Sequence, residues 1–226
     1  ENTYDEYGRV SEQKDAIEGS MKTLFTYDGN KRIIRDRNGY KSEREYDSNG
    51  LLLRYTDENG NVKSYQYDSR YNVIAEIDGN CNSVVKAYNR FNKPTVIIDK
   101  NENNTFITYD DKGNVTKIEY PAVDCVIPEE TFVYNERNQL KEHTDLRGTV
   151  TVYTYDNAGM PASKKVGNRN AILYSYENGL LKSQTDAMGY TTQYGHNAIG
   201  QVTSMTDAAN NMTLYEYDAC GNLLKT

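Results

Sequence analysis

Residues 46–67 read YDSNGLLLRYTDENGNVKSYQY. Two turns punctuate this stretch, Asp47-Ser48-Asn49-Gly50 and Asp57-Glu58-Asn59-Gly60. Aspartate in the first position of such a turn accepts hydrogen bonds from backbone inside it. Glycine in the fourth takes the positive φ of a bulge that follows a type I turn. The runs between the turns are rich in Val, Ile, Leu, Thr and Tyr and read as strands. The stretch is therefore one β-hairpin, chained to the next by another tight turn.

The opening phrase, a tyrosine followed by an acid or amide, recurs along the whole chain. It stands at Tyr4, Tyr27, Tyr46, Tyr67, Tyr88, Tyr109, Tyr134, Tyr155, Tyr176 and Tyr217, with His196 in the tyrosine position once. Successive intervals are 23, 19, 21, 21, 21, 25, 21, 21, 20 and 21 residues. A fixed period of this kind marks a repeat architecture. The fold expected is all-β: tandem β-hairpin repeats of about 21 residues forming one long curled or spiralling antiparallel sheet, because twist keeps a sheet of that length from lying flat. Residues 1–226 read as a single array. The irregular intervals have local causes. Asp28-Gly29-Asn30 and Glu177-Asn178-Gly179 read as shortened turns, and Pro121–Pro128 as a longer loop near residues 121–130.

Composition agrees with a thin layer. Of the 226 residues 37% are hydrophobic, and 21 are tyrosine with no tryptophan. Tyrosine packs its ring and keeps its hydroxyl wet, which suits a sheet with water near both faces. A net charge of −7 disfavours nucleic acid and acidic membranes as partners. No run of about 18 apolar residues is present for a membrane-spanning helix, so no membrane insertion is expected of this segment. The chain opens on Glu1 and stops shortly after a turn glycine, and is read as a fragment of a longer protein.

Alternation puts pairs of aromatics on one sheet face: Tyr65 and Tyr67, Tyr153 and Tyr155, Tyr174 and Tyr176, Tyr215 and Tyr217. These eight are the candidate ligand-binding residues, since paired rings on one face stack on sugars. They serve equally as the packing that lets a thin sheet stand, and their periodic placement favours packing. If each turn has four residues, Tyr65 lies beside Leu52, Tyr153 beside Leu140 and Tyr215 beside Val202. The tyrosine face is expected to be the better buried one.

No catalytic residue, metal site or cofactor is expected. Asp99-Lys-Asn-Glu-Asn103 loosely resembles a calcium loop, yet Asn104 stands where glycine belongs and similar phrases fill most turns. His196 reads as a substituted wall residue, and His143 has no cysteine or second histidine nearby. Cys81, Cys125 and Cys220 share no CxxC spacing and imply no disulfide framework, one pairing remaining open. Cys125 lies among Asp124, Glu129 and Glu130, a setting that does not activate a thiol.

The unit Y-x-Y-D-x-x-G-N-L/V, followed about ten residues later by D-x-x-G, resembles the YD repeat of Rhs-type and wall-associated bacterial proteins and of teneurin ectodomains. Its matches are Tyr65-Gln-Tyr-Asp68, Tyr153-Thr-Tyr-Asp-Asn-Ala-Gly159 and Tyr215-Glu-Tyr-Asp-Ala-Cys-Gly-Asn-Leu223. The resemblance implies a β-strip that spirals into a hollow shell, which in the toxin members encloses a C-terminal domain. It also implies a bacterial secreted or cell-surface location, with the rest of the same polypeptide as principal partner. Toxin shells carry a self-cleaving D-P-x-G segment. No Asp-Pro occurs here, so that chemistry transfers to no residue of this chain. Two functions follow as expectations: a non-catalytic wall for enclosure or display, and a carbohydrate- or cell-surface-binding module using the tyrosine face. Unpaired strand edges at the two ends predict end-to-end self-association.

Overall fold

The computed structural model describes residues 1–14 and 22–226, so the 23-residue first interval is seen only in part. The described residues form 23 strands, of which 21 belong to one antiparallel sheet. The chain divides into two units, Glu1–Thr108 with Glu119–Ile127, and Tyr109–Ile118 with Pro128–Thr226.

The first unit is built from β1 (Asn2–Tyr4), β2 (Val10–Lys14), β3 (Lys22–Asp28), β4 (Lys31–Arg35), β5 (Lys41–Tyr46), β6 (Leu52–Thr56), β7 (Val62–Tyr67), β8 (Val73–Asp78), β9 (Ser83–Tyr88), β10 (Pro94–Ile98) and β11 (Asn104–Tyr109), whose last residue belongs to the second unit. Each pairs antiparallel with the next. The second unit holds β12 (Val115–Glu119), β13 (Glu129–Tyr134), β14 (Leu140–Thr144), β15 (Val150–Tyr155), β16 (Pro161–Val166), β17 (Ile172–Glu177), β18 (Leu180–Thr185), β19 (Thr191–His196), β20 (Val202–Thr206), β21 (Met212–Leu214), β22 (Glu216–Tyr217) and β23 (Leu223–Lys225). From β13 to β21 each again pairs with its successor, and β22 pairs with β23. Tandem hairpins are thus what the period encodes.

The turns explain the regularity. At Asp57 the carboxylate oxygen Oδ1 accepts the backbone N–H of Asn59 at 2.9 Å and of Asn61 at 2.8 Å, while Oδ2 accepts Asn61 Nδ2 at 2.8 Å. The Gly60 N–H closes the turn on the Asp57 carbonyl at 3.1 Å. One carboxylate therefore organises five residues, the fifth being Asn61. The same pattern stands at Asp68, Asp78, Asp99, Asp110, Asp207 and Asp218, each with asparagine four residues on. Glycine is not obligatory in fourth place. Tyr71, Cys81, Asn92, Glu102, Asn138 and Asn210 occupy it with φ between 57° and 67°. That left-handed conformation costs a non-glycine residue roughly 1–2 kcal/mol, which the carboxylate or amide bonds of the turn offset.

The fifth residue corrects the register expected from four-residue turns. Thr56 pairs with Val62 and Arg54 with Ser64, so Tyr65 falls beside Leu53 and not Leu52. Likewise Glu142 pairs with Val152, which puts Tyr153 beside Lys141 and not Leu140. Ser204 pairs with Leu214, and the Tyr215 N–H donates to the Thr203 carbonyl at 2.9 Å, so Tyr215 adjoins Thr203 and not Val202. The short turns are as expected. Asp28 pairs with Lys31 and Glu177 with Leu180, and Asn178 and Gly179 both have positive φ. In Pro121–Pro128 the chain makes a miniature hairpin: Val123 and Val126 exchange backbone bonds of 2.8 and 2.9 Å across Asp124 and Cys125.

No thick core forms. Among the described residues Ala75 alone is fully buried. The accessible surface is 15756 Å², against about 10,500 Å² for a globular protein of this mass. The tyrosine face is the better covered one. In β17, Ile172, Tyr174 and Tyr176 are half-buried and alternate with exposed Leu173, Ser175 and Glu177. On the other face hydroxyls pair across strands, Thr154 with Ser163 and Ser175 with Ser183, both at 2.7 Å.

Candidate functional site

The second tyrosine of each candidate pair sits at a β-bulge. The register shifts between Gln66 and Tyr67, Thr154 and Tyr155, Ser175 and Tyr176, and Glu216 and Tyr217. Bulges bend the strand and aim the side chain. The aim is backward along the chain. Tyr67 Oη donates to the Leu52 carbonyl at 2.8 Å, Tyr155 Oη to the Leu140 carbonyl at 2.7 Å, and Tyr217 Oη to the Val202 carbonyl at 2.8 Å. Tyr88 reaches the Val73 carbonyl at 2.8 Å and Tyr27 the Val10 carbonyl at 2.9 Å in the same way. These phenols are rungs between one strand and the hairpin before it. Burial pushes the Tyr67, Tyr155 and Tyr176 hydroxyls above the ordinary phenol value, so they stay protonated and able to donate.

The first tyrosine of each pair has a different neighbourhood. Tyr65 pairs with Glu76 and Tyr174 with Gln184. Tyr153 pairs with Lys164, whose Nζ lies 6.0 Å from the ring centroid. Tyr153 and Tyr155 line an open depression of about 410 Å³, together with Asn135, Glu136, Arg137, Gln139, Lys141, Thr154, Asp156 and Asn157. Arg137 Nη1 donates to the Asn157 carbonyl at 2.9 Å, and Gln139 Nε2 to the Gly159 carbonyl at 2.8 Å. Both bonds tie consecutive turns together along one rim. Arg70 Nη1 does the same to the Asn89 carbonyl at 2.7 Å.

Sequence reasoning missed these roles for a physical reason. A hydroxyl's acceptor 15 residues back becomes visible only once the register and the bulge are known. The amide swap at two turns was available as a signal. Where asparagine replaces aspartate, at Asn135 and Asn197, glutamine replaces asparagine four residues on. There the first residue donates instead of accepting, Asn135 Nδ2 to Gln139 Oε1 at 3.0 Å and Asn197 Nδ2 to Gln201 Oε1 at 2.8 Å.

The other residues singled out fall into wall chemistry. Asp99 accepts Asn101 N–H, Asn103 N–H and Asn103 Nδ2 at 2.8–3.0 Å, the ordinary turn pattern. Among the described residues no group of three or more His, Cys, Asp and Glu side chains is placed to hold a metal ion. His196 pairs with Val202 at the bulge where its neighbours carry tyrosine. His143 stacks on Phe132 with ring centroids 4.7 Å apart, and its Nε2 lies 2.7 Å from Glu130 Oε2. Cys81, Cys125 and Cys220 are free and exposed. The turn carboxylates of Asp57, Asp68, Asp78, Asp99, Asp110, Asp207 and Asp218 are held below the usual value, chiefly by the asparagine amide four residues on.

The family profile described as RHS Repeat matches residues 46–80, 134–170, 174–211 and 196–226, together more than half of the chain. None of the curated proteins compared with it matches. Among solved structures, the crystal structure of TcdB2-TccC3 aligns with a TM-score of 0.56 and 15% identity, and that of TcdB2-TccC3-TEV with 0.55 and 16%. Each alignment covers 99% of this chain and 15% of the other, so the chain spans about 15% of the length of those proteins. At such identity the likeness is one of fold.

Proposed function

The chain belongs to the RHS-repeat family, and on that premise we propose that it is a non-catalytic wall segment of a larger secreted or cell-surface protein, helping to form a β-shell that encloses or displays another part of the same polypeptide. The observation that carries this reading is where the recurrent side chains are used. The turn carboxylates bind their own turns, the rung tyrosines bind the preceding hairpin, and Arg70, Arg137 and Gln139 bind the next turn. Residues committed to neighbouring repeats build a surface. They do not converge on a reacting atom. A layer with a single fully buried residue also leaves both faces available, one toward solvent and one toward contents.

Limited proteolysis of the full-length polypeptide tests enclosure. Sequence beyond the repeats should resist a broad-specificity protease. It should become cleavable when rungs are removed by Tyr67→Phe, Tyr155→Phe and Tyr217→Phe together. Equal cleavage in both proteins would overturn the reading.

A second reading is favoured by one observation, the depression lined by Tyr153 and Tyr155. On it the tyrosine face, with Tyr65, Tyr67, Tyr174, Tyr176, Tyr215 and Tyr217 as further platforms, contacts carbohydrate on a cell surface. A glycan-array screen of the purified chain tests this, with saturable binding expected and uniform silence counting against it.

A further inference from the structure

The row of side chains across β14, β15 and β16 is cationic, aromatic, cationic. Lys164 pairs with Tyr153 from one side. Lys141 adjoins it from the other and lines the same depression. Among the described residues neither lysine forms an ion pair with a carboxylate, and Lys164 is half-buried while Lys141 is exposed. The row at Tyr55 shows the contrast. It lies between Arg44 and Lys63, but Lys63 is taken by Glu76 at 2.8 Å. At Tyr65 the cross-strand neighbour is itself an acid, Glu76. The Tyr153 row therefore departs from its neighbours by adding two cations beside one ring, in a chain of net charge −7.

Resting on the carbohydrate reading above, we propose that this depression is a subsite for an acidic sugar. The pyranose face lies on the Tyr153 ring, and the carboxylate is shared by the Lys141 and Lys164 ammonium groups. Aromatic rings offer a flat apolar platform, and an ammonium at the ring's edge supplies a compact point charge. The volume of about 410 Å³ falls in the range of small-molecule sites. Two carboxylates share the lining. Asp156 is engaged by its own turn, where Oδ1 accepts the Met160 N–H at 2.8 Å. Glu136 stands at the rim and restricts the site to one anionic group.

The test is calorimetric titration of the chain with tri-galacturonic acid and with its methyl ester, which keeps the rings and removes the charges. The acid should bind and the ester should bind several-fold more weakly, with the difference shrinking as salt rises. Lys141→Gln and Lys164→Gln should each weaken the acid by about two- to fivefold and leave the ester unchanged. Glu136→Gln should tighten the acid. Tyr153→Phe should retain binding and Tyr153→Ala should lose about tenfold; Lys182→Gln, remote from the depression, is the control. Equal binding of acid and ester would overturn the acidic subsite and leave carbohydrate binding standing. Binding of neither, with hits to neutral glycans on the array, would also overturn it. Binding of neither with a silent array would remove both. Circular dichroism of every variant separates loss of site from loss of fold.

Discussion

Replacing Tyr155 by phenylalanine removes one oxygen and leaves the ring in place. That oxygen donates to the Leu140 carbonyl at 2.7 Å, from a position that is half-buried. A neutral hydrogen bond of this kind contributes about 0.5–1.5 kcal/mol net, and water reaching the vacated carbonyl holds the loss near the middle of that range. For a chain of this length 1 kcal/mol lowers the melting temperature by about 2–4 °C. The sharper assay is local, because repeat arrays lose cooperativity and each interface carries its own stability. Hydrogen exchange should accelerate about fivefold at residues 142–144 and 150–152, the segments that pair between β14 and β15. Tyr153→Phe is the matched control. It lies two residues away on the same face, and among the described residues its hydroxyl has no protein partner. Its cost should stay within about 0.5 kcal/mol. If Tyr153→Phe costs as much as Tyr155→Phe, or Tyr155→Phe costs nothing, the rungs are geometric coincidences and the account of the sheet fails.

Further outcomes are expected from the same geometry. The turn carboxylates have folded pKa values below their unfolded ones, so their stabilisation is complete above the ordinary carboxylate value and is lost as pH falls through the folded values; urea titrations should show a midpoint steady at neutral pH and falling below about pH 4. Asp218→Asn should lower the urea midpoint, and adding Asn222→Gln should recover part of the loss by recreating the pairing seen at Asn135 and Gln139. Glu102→Gly should raise stability by up to about 1 kcal/mol, since glycine adopts the left-handed φ of 64° without a Cβ penalty. All three cysteines are exposed, so a thiol reagent should titrate three per native chain without denaturant. β1 and β23 are exposed along their full length, and light scattering should show association growing with concentration; a strict monomer would refute edge pairing.

The hairpin period was legible because the turn phrase repeats in the sequence itself, and so was the better-covered tyrosine face, which follows from strand alternation. The fifth turn residue was not. Asn61 reads as the start of a strand until its amide is seen on Asp57, and that one residue decides whether Tyr65 adjoins Leu52 or Leu53. The turns lacking glycine, at Tyr71, Cys81 and Glu102, were hidden for the same reason: aspartate and asparagine four apart hold them, and a search for glycine passes over them. The Lys141, Tyr153 and Lys164 row spans three strands and exists only in the true register. Eight tyrosines looked alike as letters. Five-residue turns and bulges divide them into rungs and platforms.

The rungs have one more property. Every one of the five hydroxyl bonds runs from a later residue to an earlier one: Tyr27 to Val10, Tyr67 to Leu52, Tyr88 to Val73, Tyr155 to Leu140 and Tyr217 to Val202. The strip therefore has a direction built into its bonding. As the chain leaves the ribosome, each new tyrosine finds its acceptor already synthesised and already in a hairpin. Assembly proceeds as a ratchet from the N-terminal end, each repeat latching backward onto finished structure, and no repeat waits for sequence still to be made.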